Sequence, residues 1–155
     1  MIVILGCGGR MFGRVAHDAH LLSSQAYAIV WERANKERQF LKLALHTLAT
    51  SIREPVKFVA GKAKGADTGV ELFARANGYG FDAFRADWNK HGHAAGPIRN
   101  KLMYDSSLPD YVVGFCGGAG TSHMINYAVR QGCRNVMQYS DGDIDNFIAT
   151  GELSR

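Results

Sequence analysis

Hydrophobic residues along the chain alternate between short apolar runs and longer stretches in which they return every three or four positions. The short runs predict strands at 2–5, 56–60, 82–86, 111–115 and 135–139. The periodic stretches predict helices at 66–77, 96–106 and 121–131, with a short last helix at 144–149. Pro97 suits a first helical turn, and Gly78 and Gly132 stand just past helix ends. Strands separated by helix-length connections cannot form hairpins, so they lie parallel and are joined by crossovers. The expected fold class is therefore α/β, a Rossmann-like, doubly wound, five-stranded parallel sheet in the order 3-2-1-4-5.

The stretch 12–53 is too long for one crossover helix. Phe40, Leu41, Ala44, Leu45, Leu48 and Ile52 recur at helical spacing within it, and two helices are expected, a helical insertion near 20–50. Its polar part, 32–39, reads as an exposed extension or a continuous helical face. Tyr27 and Trp31 read either as a subunit contact or as packing against the sheet.

A chain of 155 residues, 46% hydrophobic and 21% charged, suits one domain spanning 1–155. The formal charge of +4 raises the question of nucleic acid, but lysines and arginines are scattered, with no run above two. A mildly basic surface for small anions is the expectation, and nucleic acid is not. Three cysteines, Cys7, Cys116 and Cys133, lack CxxC spacing, which points to a reducing compartment and to neither a disulfide framework nor a zinc site. The opening MIVILG has no signal-peptide character and no stretch is long enough to span a membrane, so a cytoplasmic protein without a membrane partner is expected.

Eighteen glycines against three prolines change the picture more, because the glycines cluster. In a 3-2-1-4-5 sheet the first and fourth strands are neighbours where the order reverses, and ligands bind at that edge. The two most glycine-dense segments, 6–10 and 114–121, follow those strands. Converging glycine amides ahead of a helix start make an anion site, with Thr121 able to cap the helix or donate its hydroxyl. Two nucleotide motifs fail. GCGGRMFG places Met11 at the third glycine of the dinucleotide fingerprint, and GKAKGADT lacks the Lys-Ser/Thr pair of a P-loop.

GGRMF at 8–12, AGKAKGAD at 60–67, ADWNKHGHAAGPIRNKLM at 86–103 and FCGGAGTSHM at 115–124 resemble the YspA-like branch of the SLOG superfamily. These Rossmann-like proteins of bacteria and phages are related to cytokinin-activating phosphoribohydrolases, nucleotide N-glycosidases and sensors of nucleotide-derived signals. The resemblance implies a nucleotide-type ligand and a homo-oligomer. Gly117, Gly118, Gly120 and Thr121 match the phosphate loop written PGGxGTxxE. Cys116 replaces its proline, and His123, with Met124 after it, stands where the phosphoribohydrolases carry the catalytic glutamate. Without that carboxylate, charge developing on a ribose during glycosidic cleavage loses its stabiliser.

The ligand edge also holds Gly8, Gly9 and Gly65, and two arginines, Arg10 and Arg99, whose planar donors suit phosphate. Arg99 reads equally as a loop-anchoring salt bridge. Asn100 reads as a reader of base or ribose, or as a cap. Asp87 and Trp88 follow the third strand, with Trp88 a candidate to stack on a base or to be buried. Asp67 reads as a helix-dipole partner and is also the best surviving carboxylate for sugar binding or acid/base work. His91 and His93 form an HxH pair with too few companions for a metal, and no cofactor is implied. Binding of a nucleotide-derived molecule, by a sensor or sequestering protein, is the favoured function, and base release by an N-glycosidase the alternative.

Overall fold

The computed structural model describes residues 1–154. Strands β1 (Ile2–Gly8), β2 (Val56–Gly61), β3 (Gly80–Phe84), β4 (Tyr111–Phe115) and β5 (Asn135–Gln138) form one parallel sheet in the expected order 3-2-1-4-5. The helices are α1 (Ser24–Ser51), α2 (Ala66–Ala76), α3 (Trp88–His91), α4 (Ala95–Ser107), α5 (Ala119–Arg130) and α6 (Asp141–Thr150).

Period-two alternation divides the strands between two cores. Ile4, Phe58, Val113 and Phe115 pack with Phe40 and Leu45 of α1, Val70 and Phe73 of α2, and Ile144 and Phe147 of α6. Leu5, Val59 and Val112 pack with Met103 of α4 and Met124, Ile125 and Ala128 of α5. Helices on both faces leave nearly continuous apolar strands at the centre, as parallel sheets require. Among the described residues no helix is long and apolar enough to cross a membrane.

The expectation of two helices in 12–53 is corrected. One helix of 28 residues, about 42 Å long, follows a single 3₁₀ turn at Ala19–Leu21. Ser23 caps it by accepting from the Ala26 amide at 3.2 Å, and no glycine or proline interrupts residues 24–51. The segment 32–39 continues that helix, polar except for buried Ala34, and it holds neighbours in place. Arg33 meets Asp145 of α6 at 2.8 Å, Glu37 accepts from the Gly13 amide at 3.2 Å, and Arg38 donates to the Gly13 carbonyl at 2.6 Å. The presumed insertion near 20–50 is thus the β1–β2 crossover helix, lengthened at its start. Tyr27 (41% exposed) and Trp31 (47%) lie on that lengthened part and belong to neither core.

Smaller shifts have local causes. β3 starts and ends two residues before the expected 82–86, because Gly80 to Phe84 pair in register with Lys57 to Gly61. β1 continues past Leu5 through Gly8 by pairing with β4, so Gly6 and Gly8 are strand residues and not loop residues. α6 starts at Asp141, three residues before the expected 144, where a reciprocal capping box between Ser140 and Asp143 holds its first turn.

Candidate functional site

Backbone contacts lock three post-strand loops together at the carboxyl edge of the sheet. The Gly9 amide donates to the Cys116 carbonyl at 2.9 Å, joining the β1 and β4 loops, and the Ala66 amide donates to the Gly9 carbonyl at 3.1 Å, joining the β2 loop. Phe12, buried with its ring 5.6 Å from that of Phe115, pins the β1 loop to the core. Gly65 has φ +81°, and a β-carbon there would overlap the Gly9 carbonyl and stand 2.5 Å from that of Arg10. Gly117 is equally confined, since a β-carbon would overlap the Thr121 hydroxyl.

The cavity at this junction, open on one side to solvent, has a volume of about 610 Å³. Of the residues expected at the ligand edge, Gly8, Gly9, Arg10, Asp67, Trp88, Arg99, Asn100, Gly118, Gly120 and Thr121 border it. Gly65, Gly117 and Asp87 do not. The first two serve close packing between loops, and the Asp87 carboxylate accepts from the Lys90 amide at 3.0 Å, capping α3. Sequence reasoning missed Ala63, Gly96, Pro97 and Met103, and it treated His93, which also borders the cavity, as an ordinary loop histidine. Gly96 and Pro97 open α4, so a helix start aimed at the ligand edge was the available signal.

The start of α5 supplies the anion-binding geometry. Gly118 is its N-cap and carries no side-chain cap, and the first intrahelical bond runs from the Ser122 amide to the Gly118 carbonyl at 3.1 Å. The amides of Ala119, Gly120 and Thr121 precede that bond, at the positive end of the helix dipole. Thr121 therefore lies inside the helix, buried, and does not cap it. Gly118 and Gly120 face open space.

Arginine charge comes from two directions. Arg10 is exposed, with its guanidinium carbon 5.0 Å from the centre of the Trp88 ring, and Trp88 is itself 45% exposed beside Gly96. The same ring is thus presented to solvent and not buried, as a stacking surface requires. Arg99 is more confined. Its Nη1 donates to the Phe84 carbonyl and its Nε to Asn100 Oδ1, both at 3.1 Å, while Nη2 has no protein partner among the described residues. Gly61 makes room for it, since a β-carbon there would overlap Arg99 Nη1 and approach Asp67 Oδ2 to 2.6 Å. Burial holds the Arg99 pKa below its ordinary value, opposed by the nearby Asp67 charge.

Asn100, buried, is fully engaged within the protein. Besides accepting from Arg99, its Nδ2 donates to the Gly120 carbonyl at 3.1 Å and lies 3.3 Å from His123 Nδ1. Arginine nitrogen only donates and a carbonyl only accepts, so the amide has one orientation, and His123 Nδ1 must accept. The imidazole proton then sits on Nε2. Burial, with Lys101 and Arg130 nearby, keeps the His123 pKa below its ordinary value, so the ring at the cavity wall is neutral.

Asp67 is 5% exposed, and burial pushes its carboxyl up to about 6, against the pull of Arg99, the Ala63 amide and Arg10. Oδ2 accepts from that amide at 3.1 Å. The thiols are unsuited to nucleophilic work. Burial pushes both Cys7 and Cys116 up to about 12, and they belong to opposite faces of the sheet. Among the described residues no three His, Cys, Asp or Glu side chains gather at metal-ligand spacing.

Counted residue by residue from Gly117, the glutamate of PGGxGTxxE falls on Met124, one place beyond His123. Met124 is fully buried in the core under α5, and His123 is the one that borders the cavity. Neither position offers a carboxylate. No family model, curated protein or solved structure matches the chain.

Proposed function

We propose that this chain binds a nucleotide or nucleotide-derived molecule as a sensor or sequestering protein, in keeping with its resemblance to the SLOG superfamily. The observation that carries the reading is the convergence in one cavity of the uncapped α5 amides, two arginines from the β1 loop and α4, and an exposed indole. A phosphate at residues 118–121 receives backbone donors, dipole and guanidinium charge together. A base on Trp88 receives a stacking surface. Asn100 acts as a positioning residue, holding the Gly120 carbonyl and His123 in place, with its own donors already used.

The test is thermal-shift screening with nucleoside monophosphates, ADP-ribose derivatives and cyclic dinucleotides, since a ligand specific for the folded state raises the melting temperature. Binding is expected to weaken more than tenfold in Arg10→Ala and in Gly118→Val, whose added side chain has open space to fill and so leaves the fold intact. Wild-type protein unaffected by every compound overturns the proposal.

One observation favours a second reading, an N-glycosidase. Asp67 combines burial beside the cavity with a pKa near 6, which suits a carboxyl that exchanges a proton near neutral pH. Incubation with the same compounds followed by chromatography separates the readings. Free base whose release is lost in Asp67→Asn supports the enzyme, and unaltered ligand supports binding alone.

A further inference from the structure

A second hollow, of about 450 Å³, adjoins the cavity. Arg10, Arg14, Lys62, Lys64, Arg85 and Arg99 border it, and among the described residues no carboxylate does. These are six of the chain's eighteen lysines and arginines, in a protein whose formal charge is only +4. They come from four separate segments, so the fold and not a basic run has gathered them.

Most of this charge is not neutralised by the protein. Lys62 pairs with Glu71 at 2.8 Å, but that carboxylate also holds Arg75 at 3.0 Å. One Arg14 nitrogen donates to the Arg10 carbonyl at 3.1 Å, which supplies no countercharge. Lys64 and Arg85 have no side-chain partner among the described residues, and both are exposed. Asp67 lies near Arg99 and Arg10, but six cations held together exceed the carboxylate charge beside them and repel one another, and a bound anion relieves that repulsion.

The two hollows share Arg10, Ala63, Trp88 and Arg99, so one molecule can lie across both with the indole at the boundary. The first hollow is backed by buried Cys7, Asp67, Asn100 and Met103, a closed floor that suits a small molecule better than a polymer needing passage at both ends. We infer that the cationic hollow is a second phosphate subsite, and that the ligand is a nucleotide with phosphate groups at two separated positions, one on each side of Trp88. This inference rests on the nucleotide reading of the first cavity.

Calorimetric titration with the four common nucleoside 5′-monophosphates and the matching 3′,5′-bisphosphates tests it, on wild type and on Lys64→Gln/Arg85→Gln. Both substituted side chains are exposed, so the circular dichroism spectrum serves to verify an unchanged fold. The expected result is a bisphosphate at least tenfold tighter than its monophosphate in wild type. In the double variant that gain is lost, with monophosphate affinity kept within twofold. Equal affinities in wild type, or a gain that survives the double substitution, overturn the second subsite and leave the nucleotide reading standing. Absence of binding by either series overturns both. A single-stranded dodecanucleotide binding more than a hundredfold tighter than any bisphosphate also overturns it, in favour of a polymer surface.

Discussion

The β4–α5 loop separates two hollows of different character. On the side of α4, the cavity meets Arg10, Arg99 and the α5 amides, with Asp67 the one bordering carboxylate among the described residues. On the side of α1 and α6, a hollow of about 530 Å³ meets Glu37 and Asp141, with Arg10 the one bordering cation among the described residues. The loop is common to both, yet its residues serve different ends. Gly117 and Cys116 face the acidic side, where Gly117 is confined by Thr121 and the Cys116 thiol is raised first by burial and then by Asp141. Glu37, raised chiefly by burial, spends an oxygen on the Gly13 amide. Gly118 borders both hollows, and Gly120, facing open space, borders only the one with two arginines. The contrast teaches that glycine density alone does not locate an anion site. What distinguishes the two sides is whether the donors there are already engaged and which charges stand beyond them.

The severest way to break the comparison is to unlock the junction that both hollows share. Gly65→Ala introduces a β-carbon at φ +81° into the Gly9 and Arg10 carbonyls. Backbone strain and overpacking together are expected to cost about 4 kcal/mol, read as a lowered midpoint in urea denaturation. A loss below about 1 kcal/mol would mean that the loops are not held as tightly as these contacts imply.

Next in size is the charge on Asp67. Its pKa in the folded protein, about 6, lies above the ordinary 3.8, so the folded state holds its proton more tightly. The stabilisation from that neutral carboxyl is complete below about pH 4 and is lost as pH rises through 6. At about 1.4 kcal/mol per tenfold change in proton affinity, the loss is about 3 kcal/mol. Asp67→Asn, which retains an acceptor for the Ala63 amide, is expected to remove this pH dependence and to be more stable than wild type at pH 7. Parallel stability curves for the two proteins between pH 4 and 7 would refute the burial argument.

The smallest effect sharpens the contrast. Asp141→Asn reduces negative charge on the far side of the loop, where its carboxylate also has Arg33 at 3.6 Å. Nucleotide affinity is expected to stay within twofold. A rise above tenfold would place the anion in the acidic hollow and reverse the comparison.

Parallel strands in a 3-2-1-4-5 sheet, and glycine loops on one edge of it, were legible in the sequence because both depend on short-range signals. Apolar runs broken by helix-length spacers require crossovers, and glycine clusters after two of those runs mark where the chain turns without side chains. Ten of the expected ligand-edge residues border the cavity for that reason. The continuity of α1 was legible only in part. The absence of glycine and proline over 24–51 was there to read, but the value of its polar face came from partners in another element and in a loop, Asp145 and Gly13.

Tertiary structure alone decided how the polar groups are used. Asn100 resembled a ligand reader until its amide was found between Arg99, Gly120 and His123, residues brought together by the meeting of α4 and α5. Likewise the lysines and arginines are scattered along the chain, yet six of them border one hollow. Sequence spacing reports neighbours along a strand or helix, where the repeat is fixed by backbone geometry. Charge acts through space, so its meaning depends on which loops the crossovers deliver to the same edge of the sheet.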